Sequence, residues 1–303
     1  MKPTPPTVLA IHDLSGYGRG SLTTVITVLG SMGIQACPMP TSLLSTHTSD
    51  FEGFSFLDLT SEMQKMINHW QELELKFDAI YSGFLGSPAQ TGLVEKCIEL
   101  FSHSNTFTLI DPVLGDNGTL YPTMNEEMIA QMRGLIAKAD IITPNLTEAA
   151  LLLNEPYPDT LDKKTLISWL RRLSKLGPRT VIITSAILNK QMENPASFVV
   201  AYQRTHAEGK AEQEEFWQVS CDYIPAYYPG TGDIFASVIT GTTLWKEDLP
   251  VGIARAMRFI ASGIEQSEKY KQPRRNGILL EMVLDSLKGP LSRVSAQPLK
   301  DDE

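Results

Sequence analysis

Thr7-Val8-Leu9-Ala10-Ile11 is apolar at every position but its first, so a strand built from it buries both faces. An amphipathic helical pattern follows at about 20–32, and a second apolar run, Ile34 to Met39, comes directly after it. A strand, a helix and another buried strand in succession is the pattern of a parallel crossover unit. The alternation repeats outward along the chain. Apolar runs at Ala79 to Ser82, Thr106 to Ile110, Ile141 to Thr143 and Thr180 to Thr184 are interleaved with helical patterns at about 59–75, 88–103, 123–138, 146–153 and 161–175. Ser87-Pro88 sets a capping residue before a proline suited to a first helical turn, and Thr160 precedes a pattern with Asp162 near its start.

Beyond Thr184 the pattern changes. Phe198 to Gln203 and Phe216 to Val219 read as an antiparallel hairpin joined by the polar segment 204–215, and helices are expected at about 231–245, 249–268 and 277–288. The expected fold is α/β, one three-layer α/β/α domain over residues 1–288 with a central, mostly parallel sheet. Residues 289–303 have little hydrophobic content and are expected to form a flexible tail.

Composition narrows the function. The 303 residues are 42% hydrophobic and 20% charged, enough apolar material for a substantial core, and the formal net charge of −9 argues against a general nucleic-acid or anionic-membrane surface. A locally positive pocket for an anion stays compatible with that charge. Cys37, Cys97 and Cys221 are too widely spaced for a metal knuckle or a disulfide framework, so a reduced, cytoplasmic setting is expected. The proline-rich start before Val8 to Ile11 does not read as a signal peptide, and no run approaches the roughly 20 apolar residues of a membrane span.

Three constellations carry chemistry. Pro229-Gly230-Thr231-Gly232-Asp233 precedes an apolar helical run, so the N–H groups of Gly230, Thr231 and Gly232 and the helix dipole can meet a phosphate. A carboxylate there repels phosphate oxygens, which makes Asp233 a base for an attacking alcohol; the plain alternative is a turn glycine and an acid favoured at a helix start. Asp111, within Asp111-Pro112-Val113-Leu114-Gly115-Asp116, ends a strand where open α/β sheets place ligands. Thr143-Pro144-Asn145-Leu146-Thr147-Glu148 opens a helix with Asn145 and Glu148 one turn apart. Hard oxygen ligands of this kind suit Mg²⁺, and the alternative is a capping box. Asp13-Leu14-Ser15-Gly16-Tyr17-Gly18-Arg19-Gly20 lacks both the dinucleotide glycine spacing and its later acid, so NAD binding is rejected; a Walker sequence is also absent. His12 follows a strand and could polarise a substrate, although a packed structural histidine is the plainer reading; Cys97 reads as core, Arg171-Arg172 and Arg274-Arg275 as solvated basic pairs rather than anion sites, and Tyr227-Tyr228 as packing or a ring platform.

The Gly-Thr-Gly-Asp helix start, the Asn-Leu-Thr-Glu segment and the strand–helix units together resemble the ribokinase-like superfamily. Within it, Ser15-Gly16-Tyr17-Gly18, Ser45-Thr46-His47-Thr48 and Asp-Pro-Val-Leu-Gly-Asp with the later Leu120-Tyr121 resemble the vitamin B6 kinases, over about residues 7 to 285. The resemblance implies transfer of phosphate from ATP to the 5′-hydroxymethyl group of pyridoxal, pyridoxine or pyridoxamine. It implies Ser15, His47, Thr48, Phe84 and Asp233 at the vitamer, and Asp233 as the base beside Gly230, Thr231 and Gly232. Asp111, Thr143, Asn145, Glu148, Thr184, Ser185 and Tyr121 are implied at ATP, with Asp111 and Glu148 near Mg²⁺, a monovalent cation as a further option, and the loop from Asp116 to Tyr121 closing over the phosphates. A homodimer is also implied. Tyr81-Ser82-Gly83-Phe84 and Ser49-Asp50 depart from the family pattern where the ring should bind, which bears on vitamer preference. The rival readings are a hydroxymethylpyrimidine kinase and a non-catalytic vitamer-binding protein on the same fold. A sugar kinase lacks its paired-glycine signature here.

Overall fold

The computed structural model describes residues 4–158, 161–186, 196–205, 212–222, 224–288 and 294–299. They fall into two compact units, the first made of 1–111 with 224–292 and the second of 112–223 with 293–303.

The first unit begins with β1 (Thr7–Ser15), α1 (Ser21–Ser31), β2 (Gln35–Leu44), β3 (Phe56–Asp58), α2 (Thr60–Glu72), β4 (Ala79–Ser82), α3 (Ala89–Phe101) and β5 (Phe107–Ile110). Its strand order is β5-β4-β1-β2-β3, parallel except for the antiparallel edge strand β3. Val8, Leu9, Ala10 and Ile11 are wholly buried, as an all-apolar strand requires, and so are Ile80 and Leu109 on the neighbouring strands. Cys97 is buried in this core.

In the second unit lie β6 (Gly115–Asp116), β7 (Thr119–Leu120), α4 (Glu126–Ile136), β8 (Ile141–Ile142), α5 (Leu146–Leu153), α6 (Lys163–Ser174), β9 (Thr180–Ala186), β10 (Ala196–Thr205) and β11 (Gln213–Asp222). β8 and β9 pair in parallel, and β9, β10 and β11 continue antiparallel. The hairpin is therefore longer than its apolar cores, because ladder bonds extend through residues such as Gln203 and Glu215; residues 206–211 of its expected connection lie outside the described residues. Arg171 pairs with Glu214 and Arg172 with Glu155, both on the surface as the sequence suggested.

Two helices complete the first unit, α7 (Thr231–Leu244) and α8 (Leu249–Lys269), which pack against each other, with α7 also against α1. The helix expected over 277–288 is not α-helical. Short 3-10 turns at Leu280–Met282 and Leu284–Lys288 replace it. The Leu279 N–H donates to Ser267 Oγ and the Leu287 carbonyl accepts from Arg255, so backbone groups of this segment are bound by α8 side chains. Of the expected tail, Val294–Pro298 form β12, antiparallel to β11, while 289–293 and 300–303 lie outside the described residues.

Candidate active site

The Gly-Thr-Gly-Asp sequence folds as expected in one respect and adds detail in another. Gly230 sits at φ 81°, in the left-handed region, and a Cβ there would meet the Arg19 carbonyl oxygen at 2.3 Å. Only glycine fits this turn. α7 starts after it with no side-chain cap, which leaves the N–H groups of Thr231, Gly232 and Asp233 without a hydrogen-bond partner among the described residues. A three-donor N-terminus with its dipole is chemically suited to an anion. Thr231 Oγ1 turns back to the Tyr228 carbonyl at 3.3 Å, and the buried Tyr228 hydroxyl donates to Glu268 at 2.8 Å, so Tyr228 packs and Tyr227 stays exposed.

Asp233 stands at that N-terminus with 16% of its side chain accessible. One carboxylate oxygen, Oδ2, accepts the Ser21 N–H at 2.7 Å. Its own carbonyl accepts from Ser237 Oγ at 2.6 Å and from the Tyr81 hydroxyl at 3.4 Å. Burial, with the Asp13 and Asp111 carboxylates adding repulsion, pushes the Asp233 carboxyl up to about 7, against the opposing pull of the Ser21 N–H. A carboxyl near neutrality is suited to exchange a proton with an alcohol.

Around it lie the ends of β1 and the segment that follows β5. Asp111 is buried, and a Cβ on Gly232 would lie 3.8 Å from its Oδ2. Ser15 is wholly buried and donates its hydroxyl to Asp13 Oδ2 at 2.9 Å, while burial raises the Asp13 carboxyl against that bond and a second one from Ser21. His47 is buried with both ring nitrogens engaged, Nε2 with the Arg275 carbonyl at 2.7 Å and Nδ1 with the Ser49 N–H at 3.2 Å. Its ring meets Phe51 edge-on at 4.9 Å, and the Arg275 guanidinium lies 5.3 Å over the same Phe51. Thr48 and Phe84 are half-buried.

The second unit holds the other expected residues. Asn145 and Glu148 form a complete capping box on α5: Asn145 accepts the Glu148 N–H at 3.0 Å and Glu148 accepts the Asn145 N–H at 2.8 Å. The same turn binds the segment before it. Glu148 Oε1 accepts the Leu114 N–H at 3.1 Å, Asn145 Nδ2 donates to the Gly115 carbonyl at 2.7 Å, and Thr147 Oγ1 accepts the Gly118 N–H at 2.9 Å. Tyr121 closes the hairpin through its N–H to the Leu114 carbonyl at 3.0 Å. Thr143 is buried; Thr184 bonds through its N–H to the Pro144 carbonyl, and Ser185, exposed, holds φ 58° at the strand end. Among the described residues, no three His, Cys, Asp or Glu side chains converge as metal ligands, and no helix is long and apolar enough to cross a membrane.

Sequence reasoning missed three neighbours of Asp233. Asp13 and Ser21 flank the glycine-rich loop, and His12 reads in sequence as packing sooner than as a substrate contact; none has a local signature for this place, which comes from proximity to a residue more than 200 positions away.

Comparison with known proteins agrees with this geometry. A Bacteroides thetaiotaomicron protein described as a phosphomethylpyrimidine kinase and solved with pyridoxal is 48% identical, over 97% of this chain and 99% of its own, with a TM-score of 0.89. A pyridoxal kinase of Lactobacillus plantarum is 31% identical over 93% and 96% of the two chains, with a TM-score of 0.80. Among curated proteins, a pyridoxal kinase of Corynebacterium diphtheriae is 24% identical over 264 residues, 85% of this chain and 88% of that one. The α/β architecture is the ribokinase-like fold of these neighbours. Residues 22–277 match the profile of the phosphomethylpyrimidine kinase family, and with the uncapped α7 start and its carboxylate in place, the chain belongs to that family.

Proposed function

We propose that this protein phosphorylates the 5′-hydroxymethyl group of B6 vitamers with ATP, and that Asp233 is the base. The vitamer kinase activity rests on the likeness to pyridoxal kinases and to a protein that binds pyridoxal. The observation that carries the catalytic part is a carboxyl poised near neutrality in the first turn of a helix whose N–H groups are open.

In this reading Asp233 takes the proton of the 5′-hydroxyl as that oxygen attacks the γ-phosphorus, the new P–O bond forms and ADP leaves. The N–H groups of Thr231, Gly232 and Asp233 meet the developing charge, with Gly230 supplying the turn that aims them. Ser15, His47, Thr48 and Phe84 shape the vitamer site. His47 acts there through the ordered loop, since both its nitrogens are bonded within the chain. Thr143, Asn145, Glu148, Thr184, Ser185 and Tyr121 serve the nucleotide. Mg²⁺ would neutralise phosphate charge during transfer. Asp111, a buried carboxylate at a strand end, and Glu148, the buried carboxylate that accepts the Leu114 and Asn145 N–H groups, are the hard oxygen groups that would hold it or its waters. A cytoplasmic homodimer completes the proposal, the dimer supported by the family resemblance and the reduced setting by the three widely spaced cysteines.

A hydroxymethylpyrimidine kinase is the second reading, favoured by the matching family's description. The test is ADP release and 5′-phosphate formation with pyridoxal, pyridoxamine, pyridoxine and hydroxymethylpyrimidine, with ATP and Mg²⁺. Rapid turnover of a B6 vitamer is expected. Preference for hydroxymethylpyrimidine moves the substrate to the second reading, and vitamer binding without ADP release leaves a binding protein.

A further inference from the structure

His12 is wholly buried, and neither of its ring nitrogens has a hydrogen-bond partner among the described residues. Such a group is costly to leave unpaired and is rare in a folded core. Its surroundings hold the ring in place. Tyr81 meets it edge-on at 4.3 Å, and Gly83 lies so close that a Cβ there would stand 2.2 Å from Nδ1. Nδ1 lies 3.8 Å from Asp233 Oδ1, about 1 Å beyond hydrogen-bond length. The other carboxylate oxygen is already fixed by the Ser21 N–H.

We propose that His12 is a positioning residue for Asp233, its Nδ1–H closing onto Oδ1 when the site engages substrate, so that Ser21 and His12 hold the two carboxylate oxygens from opposite partners. This deepens the reading of Asp233 as the base and rests on it. Burial holds the imidazole down at about 3, so His12 stays neutral at physiological pH and acts as a donor without competing for the substrate proton. The other groups that act on Asp233 are the Asp13 and Asp111 carboxylates, which repel its charge, and the Tyr81 hydroxyl, which binds its backbone carbonyl. His12 is thus a neutral side-chain donor set among acids.

The test compares His12→Leu and His12→Asn in the full chain, with pyridoxal, ATP and Mg²⁺, measuring kcat and both KM values. His12→Leu is expected to lower kcat about ten- to a hundredfold, the worth of one hydrogen bond to a charged group, with both KM values nearly unchanged. His12→Asn, whose amide offers a donor at about the same place, should recover most of that loss. In an Asp233→Asn background, His12→Leu should have no further effect, because a residue acting through Asp233 has nothing left to position. A His12→Leu enzyme within twofold of wild type, equal losses in Leu and Asn, or an independent further loss in the double variant would overturn the proposal. Should His12→Leu fail to fold, His12→Ala with added imidazole replaces it: recovery of kcat supports the proposal and no recovery overturns it. Wild-type turnover in Asp233→Asn would remove the base itself, whereas an inactive Asp233→Asn beside a normal His12→Leu removes only this inference.

Discussion

Two helices of this protein open just after a strand or turn, and their first turns are built in opposite ways. α5 starts with a full capping box, in which Asn145 and Glu148 satisfy each other's N–H and also bind the Leu114 to Gly118 segment. α7 starts with Gly230, no side-chain cap, and three N–H groups without a partner among the described residues, beside a carboxyl raised to about 7. A helix N-terminus has donors to satisfy whatever follows. α5 satisfies them with its own side chains and so organises local structure, while α7 leaves them open, as the proposed phosphoryl transfer would need.

The comparison breaks most visibly at Asp233. Asp233→Asn keeps the shape and the Ser21 contact but removes the base, so kcat should fall about 10³-fold with substrate binding retained, measured by steady-state kinetics and vitamer titration. A variant at wild-type kcat would make the α7 carboxyl a mere helix-start residue. In the wild type, kcat should climb as pH rises toward the carboxyl's value of about 7 and level off above it, because the base works ionised.

On the α5 side, Glu148→Ala strands the buried Leu114 N–H and the half-buried Asn145 N–H, and thermal or urea unfolding should show a loss of about 1–3 kcal/mol. A loss of activity without loss of stability would instead make Glu148 a purely nucleotide-facing residue.

Linkage gives α7 the reverse sign. The Asp233 carboxyl is raised above its unfolded value, so the folded state holds its proton longer, and the associated stability is full below about pH 4 and lost as pH rises toward about 7. Asp233→Asn should therefore melt above the wild type at pH 8, with the difference closing in acid. A variant less stable at both pH values would contradict the raised carboxyl. The smallest effect belongs to Asn145→Ala, which removes one cap and should cost about 1 kcal/mol by the same unfolding measurement.

Much of the architecture was legible because periodicity is local. An all-apolar Val8 to Ile11 can only be a strand buried on both faces, and Gly-Thr-Gly before an apolar run announces the α7 start. Residues 277–288 misled because their helical pattern competes with tertiary bonds from Ser267 and Arg255, which no window of sequence displays. β3 and β12 did not register because both lie on sheet edges, where the strand state depends on a neighbour and no buried apolar run marks it.

The candidate site divides along the same line. From the sequence alone came the α/β alternation, the glycines that open α7, Asp233 as the odd acid among them, and the capping alternative for Asn145 and Glu148, which the structure bears out. Only the tertiary structure brought Asp13, Ser21, His12 and Asp111 to Asp233 and removed enough water to lift its carboxyl to about 7. The reason is physical: a residue's type and its place in a helix or strand pattern are local properties, whereas desolvation and the approach of like charges exist only once distant segments have packed.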